Sequence, residues 1–493
     1  MGELDGIAGL GPEYDARGRT RRGRIGVFGI GLDAYWPQFP ELKGKLLAHQ
    51  QVFVHRLREA GFEVVSGGLC DTSHRAFDVG SAFRGEGCDL VFCYVATYAP
   101  AAAAVPVGQR AGAPMVLVAL QPSARMDYAQ ATTAMQLEHD NVTSLPEICG
   151  ALIRCGVPAA GAIVGRLHDD DRAWHEVLEW AAVASVLHDL KNARIGCLGH
   201  IYEGMLDMNS DPTMFTGHFG MHVEMLEPCD LMQRVNAVTD AETEAKLQEI
   251  ERMFQLPPPG ADAIAGPATP EALRESARVA AGLDRLVADF GLTGLAYYYR
   301  GLDDEYTRLV AAMIVGNSLL TGRGVPVAGE LDLKNCVAML IMDRLGAGGS
   351  FAELHPIDFE EDFVLVGHDG PAHIAISDEK PVLRGLSLYH GKRGAGLSVE
   401  FNIKTGPMTI LGLTQTYDGR FKMVLAEGES LPGPIPATGN TNTRAKFAPD
   451  VATFCERWSL AGPTHHFALG VGHVAGAVEK LAKAIGCEVE VVA

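Results

Sequence analysis

The chain opens with short apolar runs separated by stretches whose apolar residues recur at helical spacing. RIGVFGIG (24–31), FEVVSGG (62–68), CDLVFCYV (88–95) and PMVLVAL (114–120) read as strands, and Leu42 to Ala60 as a helix between the first two. Strands alternating with helices predict βαβ units and a parallel sheet covered on both faces. A helical stretch from about Asp169 to Leu190 ends this part, and a fresh strand, ARIGCLGHI (193–201), places a boundary near 190. TDAETEAKLQEIERMF (239–254) and PEALRESARVAAGLDRLVADFG (270–291) predict helices. The prolines and glycines of LPPPGADAIAGPATP (256–270) set a loop between them, and LTGLAYYYR (292–300) reads as a strand.

The texture changes near residue 330. One helix is predicted over 331–345, ending at Gly346. Close-spaced β-rich runs follow: DFVLVGH, AHIAIS, PVLRGLSLYH, GLSVEFNI, PMTILGLTQ and RFKMVLAEG, with a hairpin signal at Asp418-Gly419. A helix, HVAGAVEKLAKAIG, and a strand, CEVEVVA, close the chain. The expected architecture is α/β: two doubly wound parallel-sheet, Rossmann-like domains (1–190 and 191–327), then a C-terminal antiparallel β-barrel-like domain (328–493).

Composition narrows the function classes. A chain of 493 residues is too long for a single core. Its net charge of -20 repels a phosphate backbone, so nucleic acid is not an expected partner. The ten cysteines form no CxxC pair, which suits thiols in a reducing compartment. The first residues, MGELDGIAGLGPEYDARGRTRRGR, carry no apolar core of a secretory signal and read as a mobile arm. No stretch approaches the roughly 18 uninterrupted apolar residues of a membrane span. A cytoplasmic protein is expected.

GIGLDA (29–34) has the spacing of a dinucleotide-binding turn. That chemistry needs a helix N-terminus at the turn to receive a pyrophosphate, and Trp36-Pro37 and Phe39-Pro40 interrupt any such helix. Nicotinamide binding is not expected.

Metal-ligating residue types gather at element ends in the last third of the chain. Glu330 precedes a predicted helix, Glu353 follows a Gly-rich loop, His368 ends an apolar strand, and His465 and His466 follow a Gly-Pro turn. Oxygen and imidazole donors without sulfur suit Mn²⁺, with Co²⁺, Mg²⁺ or Fe²⁺ as alternatives. Spacing alone leaves other roles open. Glu330 would serve equally as a helix-starting carboxylate, and Glu353 as part of an acidic face. Asp358 and Glu361 are rival carboxylates.

The segments AGELDLK (328–334), SFAE (350–353), DFVLVGH (362–368), FNIKTGP (401–407) and LAGPTHHF (460–467) resemble, in order and spacing, the L-arabinose isomerase family. MLDMNSDPTMFTGHFGMHVE (205–224) is more similar to the related L-fucose isomerases. The resemblance implies Mn²⁺ held by Glu330, Glu353, His368 and His466, and aldose–ketose isomerisation of a pentose, hexose or deoxy sugar through a cis-enediol. Glu330 and Glu353 would be the proton-transferring pair. It further implies a homohexamer with active sites between subunits. Trp36, Gln121, Tyr299 and His465 would be sugar-pocket residues, the first two acting from a neighbouring subunit. The chain departs from the family after its fourth strand: LVALQPSARMDY keeps Gln121 but lacks a substrate-facing histidine. The loop GLDAYWPQFP also differs, so the sugar stays open. An epimerase or isomerase of an unusual sugar, or a sugar-binding protein without turnover, are the alternatives.

Overall fold

The computed structural model describes residue 14 and residues 19–258, 266–300, 305–386, 396–437 and 439–493. Most of the N-terminal arm, the centre of the 256–270 loop and the end of PVLRGLSLYH lie outside the described residues. The chain divides into two compact units. One comprises residues 20–189 with 476–484; the other comprises 1–19, 190–475 and 485–493.

In the first unit, β1 (Arg24–Ile30), β2 (Glu63–Cys70), β3 (Leu90–Tyr94), β4 (Met115–Gln121) and β5 (Gly161–Arg166) form a parallel sheet in the order β2-β1-β3-β4-β5. β3 is buried along its whole length and β4 along all but its last residue, which is why both read as unbroken apolar runs. Phe53 of the helix Leu42–Glu59 packs on Phe92, Tyr94 and Trp174, with ring centroids 5.5, 5.6 and 5.5 Å away. β5 escapes the sequence pattern because its glycines dilute the strand signal. They are there for close approach: a Cβ on Gly161 would meet Trp180 at 2.8 Å, and one on Gly165 would meet Ala173 at 2.5 Å. After β1 only a short 3-10 turn, Asp33–Tyr35, precedes the helix at Leu42, so the GIGLDA turn carries no helix N-terminus.

The second unit contains another parallel sheet. β6 (Arg194–Gly199), β7 (His222–Leu226), β8 (Gly294–Tyr298) and the two-residue β9 (Val327–Ala328) lie in the order β7-β6-β8-β9. Thr269 caps the helix Pro270–Phe290, which packs its apolar stripe on this sheet's core.

The β-rich part follows with β10 (Gly348–Asp358), β11 (Phe363–His368), the two-stranded β12 (Val382–Leu386) and β13 (Gly396–Glu400), β14 (Gly406–Gln415), β15 (Phe421–Leu431), β16 (Thr441–Phe447) and β17 (Phe467–Val471). Six of these close into an antiparallel barrel, β14-β17-β10-β11-β16-β15, sealed by the β14–β15 pairing. The last strand, β18 (Glu488–Val491), joins β15 in parallel. Val364, Val366, Ile410, Val424, Phe467 and Leu469 are among the residues of the barrel core. The helix Leu333–Arg344 is buried all round and packs on β10, β14 and β17. It is two residues shorter at its start than the sequence predicts.

Five cysteines are buried (Cys70, Cys88, Cys93, Cys197, Cys336), while Cys155 and Cys229 are exposed. Among the described residues no helix is long and apolar enough to cross a membrane.

Candidate metal centre

Glu330 lies in the short turn Gly329–Leu331 that joins β9 to the helix Leu333–Arg344. Glu330 and Leu331 both take left-handed backbone conformations, with φ of 55° and 58°. For residues with a Cβ this costs roughly 1–2 kcal/mol each. The turn is held by burial of Leu331 and by the helix that follows. The distortion settles what Glu330 does not do. The helix cap is Asp332, whose Oδ1 accepts the Asn335 N–H at 2.9 Å. The Glu330 carboxylate turns instead toward His466, with Oε2 3.3 Å from Nε2.

His466 stands just before β17 and is fully buried. Its Nδ1–H donates to the second Asp332 oxygen at 3.1 Å. One aspartate therefore caps the helix and fixes the imidazole tautomer, leaving Nε2 buried, without a hydrogen bond, and facing Glu330. Burial works against the imidazolium, but the Asp332 and Glu330 carboxylates overcome it and hold the group at about 9. An imidazole drawn upward in this way marks a pocket with excess negative charge.

The remaining groups come from the barrel. Residue Glu353 of β10 pairs across the ladder with Gly367 of β11, which brings it beside His368. Glu353 Oε1 lies 3.8 Å from His368 Nε2, and His368 Nδ1 lies 2.9 Å from Asp369 Oδ1. Phe351, two residues before Glu353 and on the same face, is the wall between the two histidines. Its ring centroid is 4.6 Å from His368 and 4.4 Å from His466. His355, two residues beyond Glu353, was not singled out from sequence; burial lowers its imidazole, with His368 adding to this and Glu353 opposing it.

Two groups of donors converge. Donor atoms of Glu330, His368 and His466 lie within 4.8 Å of one another, and so do those of Glu353, His465 and His466. His466 is common to both. The four residues expected to hold a metal are thus gathered around one imidazole, with His465 alongside. Carboxylate oxygens and imidazole nitrogens, including a buried Nε2 without a hydrogen bond, fit a divalent first-row cation.

The other expected residues fall elsewhere. Tyr299, just past β8, packs edge-on against Tyr306 and His200. The preceding Tyr298 does feel Glu330: burial raises its phenol to about 12, with Tyr202 and Glu330 among the groups adding to this. Gln121 and Trp36 belong to the unit built from 20–189. Gln121 Nε2 donates to the Ser123 carbonyl at 2.7 Å. The Trp36 indole N–H donates to Asp71 at 2.9 Å, and Lys43 sits 5.2 Å over its ring. The rival carboxylates are committed to structure. Asp358 accepts the Glu360 and Glu361 N–H groups, and Glu361 pairs with Arg444.

Comparison with known proteins bears on this part of the chain. The L-arabinose isomerase central domain matches residues 209–348, which include Glu330, and the L-arabinose isomerase C-terminal domain matches 348–488, which include Glu353, His368 and His466. An L-arabinose isomerase of Salmonella enteritidis is 27% identical over 307 residues, covering 60% of each chain. One of Escherichia coli is 26% identical over 314 residues, covering 62% of this chain and 61% of its own. One of a Nocardioides species is 24% identical over 416 residues, covering 83% of this chain and 81% of its own. The chain therefore spans about 60% of the length of the first two relatives.

Proposed function

The chain belongs to the L-arabinose isomerase superfamily, and from that premise we propose that it is a metal-dependent aldose–ketose isomerase acting on a pentose, hexose or deoxy sugar. The observation that carries the reading is the meeting of Glu330, His368 and His466 within 4.8 Å, with Glu353 joined to them through His466. These four residues would hold the ion. Mn²⁺ suits the donor set, with Co²⁺, Mg²⁺ and Fe²⁺ as alternatives. A bound divalent ion supplies Lewis-acid polarisation of the sugar carbonyl and of the neighbouring hydroxyl.

The chain's own residues do the rest. One of Glu330 and Glu353 takes the proton from C2, and the other moves protons between the O1 and O2 oxygens. Their roles reverse as the proton returns at C1, so that a cis-enediol links aldose and ketose. Asp332 keeps His466 in the tautomer that turns Nε2 inward. The buried Phe351 ring keeps water from one side of the histidine pair. His465, Tyr299, Trp36 and Gln121 are the proposed sugar contacts, with Trp36 and Gln121 serving the site of a neighbouring subunit in a homohexamer. The division into 1–190, 191–327 and 328–493 and a cytoplasmic setting belong to the same proposal.

Hydrogen exchange tests it. With Mn²⁺, D₂O and a panel of pentoses, hexoses and 6-deoxyhexoses, at least one sugar is expected to gain deuterium at C1 or C2, and chelation should abolish the exchange. No exchange with any sugar, together with tight sugar binding in the absence of metal, would identify a binding protein instead.

A further inference from the structure

The two adjacent histidines stand differently toward the pocket. His466 keeps none of its side chain exposed and turns Nε2 toward Glu330, whereas His465 beside it keeps 34% exposed. Their rings lie 3.9 Å apart, inclined at 41°. A ring nitrogen of His465 lies within 4.8 Å of donors on Glu353 and His466. The His465 ring is therefore open to a ligand and close to one carboxylate of the proton-transferring pair.

One side chain decides what this ring offers. Asp207 Oδ2 accepts the Nδ1–H of His465 at 2.7 Å and the His465 backbone N–H at 2.9 Å, so a single oxygen grips both ring and main chain. A carboxylate can only accept, so the neutral ring keeps its proton on Nδ1 and its lone pair on Nε2. The mount beneath is stiff. Lys334 is almost wholly buried and gives its ammonium group to two main-chain carbonyls, Asp207 at 2.6 Å and Asn209 at 3.1 Å. A buried ammonium is costly unless its protons are bound, so these two carbonyls are tied firmly to the helix Leu333–Arg344. Met208, between them, is fully buried.

We propose that Asp207 is a positioning residue for sugar binding: it fixes His465 as a hydrogen-bond acceptor, so that Nε2 receives an O–H from the sugar. The cation keeps the four protein donors named above, and its other positions stay with the sugar carbonyl and the neighbouring hydroxyl. The inference rests on the isomerase reading and gives one of its sugar contacts a direction: His465 favours a sugar that donates a hydroxyl proton at this point.

The test is deuterium exchange by the full chain in D₂O with saturating Mn²⁺, using the sugar of the panel above that wild type exchanges fastest. Mn²⁺ affinity is read in parallel from the signal of the free ion in electron paramagnetic resonance. Asp207→Ala is expected to raise KM about 3- to 10-fold, the worth of one neutral hydrogen bond, with kcat nearly unchanged. Its Mn²⁺ affinity should match wild type. Asp207→Asn keeps an oxygen that accepts both N–H groups and should bring KM back close to wild type. His465→Ala should raise KM to the same degree as Asp207→Ala, and in that background the loss of Asp207 should add nothing, because its action runs through the ring. An unchanged KM, a loss confined to kcat, an equal rise in both backgrounds, no rescue by asparagine, or a fall in Mn²⁺ affinity overturns the role of Asp207 and leaves the isomerase reading standing. A wild-type chain that exchanges deuterium into no sugar overturns both.

Discussion

Glu330 sits at a point of backbone strain, next to a second residue of the same unusual conformation. Such strain persists only where the surroundings fix it, and it concentrates at functional sites. Glu330→Gln keeps the size and the turn but removes the charge. It is expected to leave the thermal midpoint within a few degrees of wild type, and to lower sugar-dependent deuterium exchange by roughly 10²–10⁴-fold. Near-normal exchange in this variant would show that another carboxylate acts. The resemblance drew Glu330, Glu353, His368 and His466 together because each stands in a short local motif, and their donor atoms do converge on His466, while spacing alone left their roles open. Asp332, Asp369 and Asp207 were not legible. They work through a histidine's far nitrogen, and Asp207 and Asp332 lie 258 and 134 residues from the ring they orient. Glu330 was equally readable as a helix-starting carboxylate, and only the left-handed turn removes that role.

At the scale of elements, the start of the helix Leu333–Arg344 and the orientation of His466 depend on one side chain. Asparagine caps a helix about as well as aspartate. Asp332→Asn should therefore keep the unfolding free energy close to wild type. Its amide would offer His466 a donor where Nδ1 now finds an acceptor, which turns the proton to Nε2. Mn²⁺ affinity is expected to fall about 10- to 100-fold. Asp332→Ala should show the same loss and in addition cost about 1 kcal/mol of stability. If Asp332→Asn binds Mn²⁺ normally, the tautomer argument is wrong. Elements with strong apolar runs, such as β3 and β4, were readable from the sequence. The helix after Glu330 begins two residues late because two left-handed residues without glycine announce no break. β5 was missed because Gly161 and Gly165 serve packing against the helix behind them. The β14–β15 hairpin was signalled by Asp418-Gly419, but closure of the barrel also needs β17 to pair with β10 and β14, a long-range pairing for which the alternating pattern carries no register.

In the larger compact unit, a buried ion network ties the start of the chain to the far end of that same helix. Asp343 is paired with Arg19 at 3.0 Å, with His373 at 3.1 Å and with the adjacent Arg344. Burial alone would raise its carboxyl, but Arg19, Arg344 and His373 hold it well below the usual carboxylate range. A carboxylate depressed on folding stabilises the fold above its unfolded value of about 3.9, and that contribution is lost as pH falls below it. Asp343→Asn should destabilise the protein at pH 7 by roughly 3–5 kcal/mol, since it leaves buried cations without their partner. The difference from wild type should shrink steadily below about pH 4 in urea unfolding. A gap of constant size from pH 7 to pH 3 would show that the network stabilises through packing and not through charge.

The meeting of four donors around one cation is tested most directly by anomalous diffraction at the manganese edge, from crystals of the full chain grown with Mn²⁺. A single strong peak is expected within coordination distance of Glu330, Glu353, His368 and His466. Well-ordered side chains at these four positions with no anomalous density between them would contradict the account.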